Sequence, residues 1–351
     1  MNTSNILPLT LGLVIFSFLI NSVLVVPFIN LLYKLKITRQ KEAPKKGKVP
    51  LFDKLHDKKA GTPIGGGILI LFVVTVMFAT LFPLVSYLGV KIQSAHNLAT
   101  EIFLIFFTFI SFGLLGLSDD LVKIFGKGVQ GKMGMWIGLR RWQKFSIQWI
   151  LALVISYTIY ADLGVHILHI PILNKILDFG YWYVPFGAFI IVFFSNAVNI
   201  TDGLDGLASG LLMICLLAFG VIVAGNLDTP LTIFISLWVG ALFAFLYFNV
   251  WPARIWMGDA GALSFGAMLG LIGLLTGSIF ALLVIGGLFV LELLSSAIQI
   301  FGWKFLNRPI FKLAPIHHTF LAIGWEEPKI VMRAWLAGIM LAIFGLWLAV
   351  I

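Results

Sequence analysis

The chain has 351 residues, of which 60% are hydrophobic and 11% are charged, and its formal net charge is +9. A water-soluble domain is about 45–50% apolar and about 25% charged, so this composition excludes a soluble globular protein. It also argues against nucleic acid as a partner, because no soluble domain exists to carry the basic residues. The composition predicts a protein whose helices lie in a lipid bilayer.

Apolar segments long enough to cross about 30 Å of hydrocarbon recur along the whole chain. They predict an all-α, polytopic membrane protein with about ten transmembrane helices in a single domain of residues 1–351. The predicted spans are 8–32, 64–89, 101–118, 145–163, 182–200, 205–224, 231–250, 263–277, 279–302 and 331–351. The eighth and ninth spans are separated at Thr276-Gly277-Ser278, which offers a turn.

Lysine and arginine are concentrated in alternate connections between these spans. Every one except Lys91 and Lys175 lies in or beside the connections 33–63, 119–144, 201–204, 251–262 and 303–330. The positive-inside rule predicts that these connections are cytoplasmic and that both termini are periplasmic. The expected location is therefore the cell inner (cytoplasmic) membrane.

The outer connection at 164–181 is apolar and contains Pro171, which predicts a hairpin or an interfacial turn on the outer leaflet. It also contains His166 and His169. Two histidines three residues apart can bind a metal, but a lone pair more often serves packing, and we favour packing here.

Five carboxylates lie at the predicted cytoplasmic ends of the spans: Asp119, Asp120, Asp202, Asp205 and Asp259. Ionisable groups at such positions are costly and usually functional. Helix capping explains one of them well, and Asp205 is the best candidate, but capping does not explain the whole set. Clustered carboxylates repel one another unless a cation or basic side chains offset their charge.

Magnesium suits such a set, because it prefers oxygen ligands and usually takes one or two carboxylates plus substrate phosphates. Basic residues border the carboxylates: Lys58, Lys59, Lys123, Lys127, Arg140, Arg141 and Lys144. Carboxylates with a metal and a basic rim are typical of phosphoryl transfer. The glycine-rich segment 61–67 lacks the Lys-Ser/Thr ending of a P-loop.

Two classes of protein are consistent with these residues. One is an enzyme that moves a phosphoryl-linked group onto a membrane lipid, and the other is an ion-coupled transporter. A transporter is expected to place its acidic residues near mid-membrane on broken or repeated helices. Here they collect at one surface and no internal repeat is visible, so the enzyme is favoured.

The polar motifs follow one another in a specific order along nearly the whole chain. They are His56 to Pro63, Asp119 to Lys123, Gln143-Lys144 with Gln148, Asn196 to Gly206, Asn249 to Ala253, Met257-Gly258-Asp259, Glu292 with Gln299, Ala314 to His318, and Gly324-Trp325 with Glu327. In this series the chain resembles the polyprenyl-phosphate N-acetylhexosamine-1-phosphate transferases. Within them it is most similar to the phospho-N-acetylmuramoyl-pentapeptide transferases.

The resemblance implies a magnesium-dependent reaction between UDP-N-acetylmuramoyl-pentapeptide and undecaprenyl phosphate, which gives lipid I and UMP. It also implies a homodimer in the lipid bilayer. Asp259 is implied as the metal ligand, and the implied catalytic residues are Asp119, Asp120, Asp259, Lys59, Lys123 and His317. The implied substrate-binding residues are Asn199, Asp202, Gly203, Leu204, Trp256, Asn249, Lys127, Lys144, Gln299 and His318. Trp256 stands where the family commonly has a phenylalanine against uracil; the alternative for Trp256 is an interface-belt residue.

This chain departs from the family pattern at a few positions. Ile64-Gly65 follows Pro63, where the family usually has Thr-Met, and Thr319 replaces the third of three histidines. Leu321 replaces a common acidic residue. The sister transferases that use UDP-N-acetylglucosamine therefore remain the leading alternative, although Glu292 with Gln299 favours the muramoyl-pentapeptide branch.

Overall fold

The computed structural model describes residues 6–39, 59–125, 141–173 and 175–351. The helices in these ranges are α1 (Ile6–Lys34), α2 (Gly66–Tyr87), α3 (Leu98–Phe125), α4 (Arg141–Leu163), α5 (Tyr183–Thr201), α6 (Leu207–Gly225), α7 (Thr229–Asn249), α8 (Gly258–Leu275), α9 (Ile279–Ile285), α10 (Gly287–Phe305), α11 (Ile316–Ala322) and α12 (Glu327–Val350). Two short strands, β1 (Ile167–Ile170) and β2 (Lys175–Asp178), lie between α4 and α5.

Ten of the described helices are long and apolar enough to cross a membrane. Only α9 and α11, of seven residues each, are too short. The prediction of a multi-pass helical membrane protein with ten spans is thus confirmed, and the turn after the eighth span falls at Thr276–Ser278 as expected.

Two predicted helix boundaries are wrong in an informative way. The third span was expected to end at residue 118, but α3 continues to Phe125 and so carries Asp119 and Asp120 inside the helix. The ninth span was expected to be one helix over 279–302, but it is broken at Gly286 into α9 and α10. A side chain at Gly286 would lie 2.6 Å from the ring of Phe194, so the break brings this backbone close against α5.

Helix α8 lies at the centre of the molecule, with α3 and α5 against it, and Ala260–Leu275 is buried throughout. Hydrophobic packing alone gives little preference between helices in lipid, so small residues and interhelical hydrogen bonds contribute to their association. The hydroxyl of Ser264 donates to the carbonyl of Phe109 in α3, and the hydroxyl of Ser195 in α5 donates to the carbonyl of Leu263. These contacts set the relative positions of the three helices that carry the candidate site.

Strands β1 and β2 form an antiparallel hairpin at the end of the bundle opposite to the clustered aspartates. The predicted hairpin in the 164–181 connection is confirmed. His166 does not stand alone there, because its Nδ1 lies 2.8 Å from a carboxylate oxygen of Asp178. Hydrogen bonds from Gly180 N–H and from His166 lower the pKa of Asp178.

Candidate active site

Two carboxylates from different helices share the same pair of lysines. The Nζ atom of Lys144, in α4, lies 2.7 Å from Oδ2 of Asp119 and 2.7 Å from Oδ2 of Asp259. Lys123 Nζ lies 3.1 Å from Asp119 Oδ2 and 2.7 Å from Asp259 Oδ2. The end of α3 and the start of α8 are therefore joined through ammonium groups, and this is the convergence that the sequence predicted.

Asp120 has a different role from its neighbour. Its two carboxylate oxygens accept the N–H groups of Asp259 and Ala260 at 3.1 and 3.0 Å, so it caps the first turn of α8 from α3. The close approach requires a glycine at position 116, where a side chain would lie 2.1 Å from the carbonyl oxygen of Asp259. Asp120 thus holds Asp259 in place, whereas Asp119 faces the lysines.

The end of α5 completes this cluster. Asn199 donates through Nδ2 to Asp259 Oδ1 at 3.0 Å, which orients the carboxylate. Asp202 follows the last turn of α5, and its carboxylate lies near the backbone of Gly258. Desolvation, followed by the negative charge of Asp259, raises the pKa of Asp202 to about 7.

Asp205 lies in a second cluster, next to Lys59 and Glu327. The Nζ atom of Lys59 is 2.8 Å from Asp205 Oδ1 and also contacts the carboxylate of Glu327. Glu327 accepts the N–H of Asp205, and the other oxygen of Asp205 accepts the N–H of Ala253 at 2.9 Å. The expectation that Asp205 caps its own helix is wrong, because Gly206 stands at the start of α6 and no side chain caps it.

Trp256 is only 5% exposed, which rules out the interface-belt alternative. Arg39 Cζ and Lys59 Nζ lie 5.1 and 4.8 Å from its ring centroid. Such cation–π contacts are favourable, and a nucleobase stacked on this ring would have to displace or adjoin one of these cations. The contact of Trp256 with uracil stays a prediction. Lys59 is paired with the carboxylates of Asp205 and Glu327.

His317 is 1% exposed and lies between α10 and the turn after α5. Its Nδ1 is 2.9 Å from Oε2 of Glu292, and its ring centroid is 4.1 Å from that of His318. A side chain at Gly203 would lie 2.4 Å from His317 Nε2, so the imidazole packs directly against the backbone of this turn. The structure therefore brings the histidine motif and the Asp202–Leu204 turn together, with Leu204 buried.

Residues 102–277 match the model of glycosyl transferase family 4. The phospho-N-acetylmuramoyl-pentapeptide transferase of Geobacillus sp. (strain WCH70) is 36% identical over 342 residues, covering 96% of this chain and 97% of that protein. The enzyme of that name from Clostridium perfringens (strain 13 / Type A) is 36% identical over 320 residues, covering 91% and 92%. The chain belongs to the family of phospho-N-acetylmuramoyl-pentapeptide transferases. The resemblance inferred from the motifs is thereby confirmed.

Two residues that the family resemblance implied as substrate ligands are engaged elsewhere. Asn249 is 1% exposed; it accepts from the hydroxyl of Ser209 and donates to the carbonyl of Ile255. Gln299 donates to the carbonyl of Phe311 at 3.0 Å and accepts backbone N–H groups of the same segment. Both amides hold loops of the site in this structure, and their role as substrate ligands stays a prediction.

The departures from the family pattern leave the aspartate cluster intact. The hydroxyl of Thr319 donates to the carbonyl of Leu313, which closes the turn before α11. Ile64 forms a backbone bridge with Trp256. The family residue Lys127 lies outside the described residues, as do Lys58 and Arg140 of the predicted basic rim.

Sequence reasoning missed the partners of two motif glutamates. The sequence presents Glu292 only as a residue that favours the muramoyl-pentapeptide branch, and Glu327 only as part of a motif. In the structure Glu292 binds His317 and Glu327 binds Lys59. A carboxylate within a hydrophobic helix, as Glu292 is, was the available signal, since such a group needs a partner.

The donor atoms of the aspartate cluster fit a magnesium ion of the kind the family implies. Within residues 6–39, 59–125, 141–173 and 175–351, no three His, Cys, Asp or Glu side chains gather as a metal site. Mg²⁺ does not require three protein side chains as ligands, because waters and substrate phosphates usually complete its coordination. The oxygens of Asp119 and Asp259 that hold two ammonium groups form a hard, anionic donor pair, and Asp259 is the better placed because Asn199 orients it.

Proposed function

We propose that this chain transfers phospho-N-acetylmuramoyl-pentapeptide from its UDP-linked donor to undecaprenyl phosphate, giving lipid I and UMP in peptidoglycan synthesis. Membership of the family supports this, since the relatives' names state the transferred group. The single structural observation that carries the proposal is the pair Asp119 and Asp259, bridged by Lys123 and Lys144.

The chemistry brings anions together, which explains the lysines. An oxygen of the lipid phosphate forms a bond to the sugar-linked phosphorus while the bond from that phosphorus to UMP breaks, and UMP leaves with the electron pair. Lys123 and Lys144 are placed to offset the charge that accumulates. A phosphate monoester is already largely ionised at pH 7, with a second pKa of about 6, so direct attack needs no strong base.

Mg²⁺, when bound, would neutralise part of the diphosphate charge, and Asp259 with Asp119 would hold it. The described side chains around this pair supply orientation. Asp120 fixes the start of α8, and Asn199 fixes one oxygen of Asp259. Because these contacts exist before any substrate binds, the donor pair needs little reorganisation during the reaction.

The site is proposed to face the cytoplasm, in the inner membrane, with both termini periplasmic. Support comes from the basic connections, which belong to the helix ends where Asp119 and Asp259 meet. We further propose that two copies associate as a homodimer in the bilayer, as the family resemblance implies.

The proposal is tested with the purified full-length chain, undecaprenyl phosphate and two radiolabelled donors. UDP-N-acetylmuramoyl-pentapeptide should give equal amounts of lipid-linked product and UMP, and only with added magnesium. Turnover of UDP-N-acetylglucosamine alone would move the chain to the sister branch. Substrate-coupled flux into liposomes without UMP release would instead identify a transporter.

A further inference from the structure

One face of α10 holds the segment that carries the histidines. Three polar side chains lie on this face at helical spacing: Glu292, Ser295 and Gln299. Gln299 accepts the N–H of Phe311, and Ser295 accepts the N–H of Ile316 at 3.0 Å. Glu292 contacts His317: its Oε2 accepts hydrogen bonds from the backbone N–H and from the ring Nδ1 of that histidine.

The contact with Glu292 determines which ring nitrogen of His317 carries a proton. A carboxylate only accepts hydrogen bonds, so the proton of the neutral ring lies on Nδ1, 2.9 Å from Oε2. The other nitrogen, Nε2, is then an acceptor. It is buried against Gly203, and no group among the described residues donates to it.

A buried acceptor without a donor is unfavourable, and a ligand that supplies a donor is therefore stabilised. Gly203 lies in the turn that follows Asp202, whose carboxylate is close enough to Asp259 to feel its negative charge. The nucleotide sugar of the proposed reaction carries hydroxyl groups, which are donors of the kind that Nε2 lacks.

We propose that Glu292 is a positioning residue that holds His317 as the Nδ1–H tautomer, so that Nε2 accepts a hydrogen bond from a hydroxyl group of the donor nucleotide sugar. The inference rests on the proposed function for its substrate. The proposal requires the Gly203 turn, which packs against Nε2 in the structure, to move when substrate binds.

The kinetic test compares four variants of the full-length protein with UDP-N-acetylmuramoyl-pentapeptide as donor. Glu292→Ala removes the acceptor and should lower kcat/KM for the nucleotide about 10- to 100-fold, the scale known for loss of the hydrogen-bond partner of a metal-ligating histidine. Glu292→Gln retains an oxygen for Nδ1–H and should stay within about threefold of the unchanged chain. Glu326→Gln, at an exposed glutamate, should have no effect.

Ser295→Ala loosens the same segment without touching the imidazole, so its loss should be much smaller than that of Glu292→Ala. Equal losses in these two variants would reduce Glu292 to a structural brace and overturn the proposal, as would an unaffected Glu292→Ala enzyme. Melting temperatures of all variants show which of them fold. If Glu292→Ala does not fold, the isosteric variant Glu292→Gln still allows the test.

A second measurement does not depend on activity. In protein labelled with ¹⁵N-histidine, His317 is assigned by the signals lost in His317→Asn. Its Nδ1 should resonate as protonated and its Nε2 as unprotonated, and Glu292→Ala should change this pattern. The opposite tautomer would overturn the inference. An unchanged chain that does not turn over the muramoyl donor would defeat the proposed function but leave this tautomer assignment standing.

Discussion

The two ends of α3 both carry buried carboxyl groups, and their surroundings differ. At one end, the ammonium group of Lys144 lies 2.7 Å from a carboxylate oxygen of Asp119 and 2.7 Å from one of Asp259. At the other end, Glu101 is 0% exposed, accepts from the hydroxyl of Ser94, and lies beside the carboxyl group of Asp228.

Two carboxyl groups buried side by side repel each other unless one of them keeps its proton. The pair Glu101 and Asp228 is therefore expected to carry a single negative charge, and it joins the first turn of α3 to the start of α7, where Asp228 accepts the N–H of Leu231. At the Asp119 end two lysines contact the carboxylates, so positive charge lies there beside the acids and can act on an anionic substrate. Burial of a carboxylate alone does not identify a functional site; the chemistry of its partners does.

The largest effect should come from Asp259→Asn. It removes a carboxylate shared by two lysines and should lower the rate of UMP release at least about 10³-fold, on the scale of lost electrostatic stabilisation in active sites. Asp162→Asn, at an exposed aspartate, is the matched control and should be fully active. A near-normal rate for Asp259→Asn with retained folding would defeat the assigned role.

Lys144→Met should come next, with a loss of about 10²-fold in kcat. Lys123→Met should cost less, because the Lys123 side chain is 56% exposed against 17% for Lys144 and water screens its charge more strongly. Lys304→Met, at an exposed lysine, serves as the control. The reverse order of the two cluster lysines would show that screening does not decide their importance.

Gly203→Ala should have a moderate effect, about tenfold on kcat/KM, which is within the range caused by small misplacements. The new Cβ would lie 2.4 Å from His317 Nε2 and push the ring away from the turn. At Gly12 nothing lies within 4 Å of an added Cβ, so Gly12→Ala provides a comparison at which activity should not change.

Glu101→Gln should leave activity unchanged and alter only the pH dependence of stability. Burial raises the pKa of Asp228, so the folded pair holds its proton at pH values where the unfolded chain has lost it. Stability is then greatest at acid pH and falls as the pH rises through the folded pKa.

In Glu101→Gln the amide donates to Asp228 without needing that proton, so thermal unfolding monitored from pH 5 to pH 9 should vary less than in the unchanged chain. Identical pH profiles for the two proteins would show that the pair does not share a proton. A loss of activity would mean that the two ends of α3 are coupled.

Much of the architecture was readable without coordinates. Ten spans, the turn at Thr276–Ser278 and the hairpin between α4 and α5 follow from apolar length and from glycine and proline, which act locally. The length of α3 past residue 118 did not follow, because Asp119 and Asp120 look like residues that end a span until α8 and Lys144 supply their partners.

Some residues of the candidate site could also be predicted from the sequence, whereas the roles of others could not. Asp119, Asp259, Lys123 and Lys144 could be named from residue type and order, since phosphoryl chemistry needs acids beside bases. The tasks of Asp205, Asn249 and Gln299 could not, because each side chain serves whichever backbone group folding brings to it.

Residue order alone was enough to predict about ten membrane crossings and a group of acidic and basic residues at one end of the bundle. Those properties depend on hydrophobic length and charge order along the chain, which need no knowledge of neighbours. The cap that Asp120 forms on α8, the contact of Glu292 with His317 and the ion pair of Lys59 with Glu327 became visible only in the packed helices. Hydrogen bonds and ion pairs act over about 3 Å, and residues far apart in sequence reach that distance only when the helices pack.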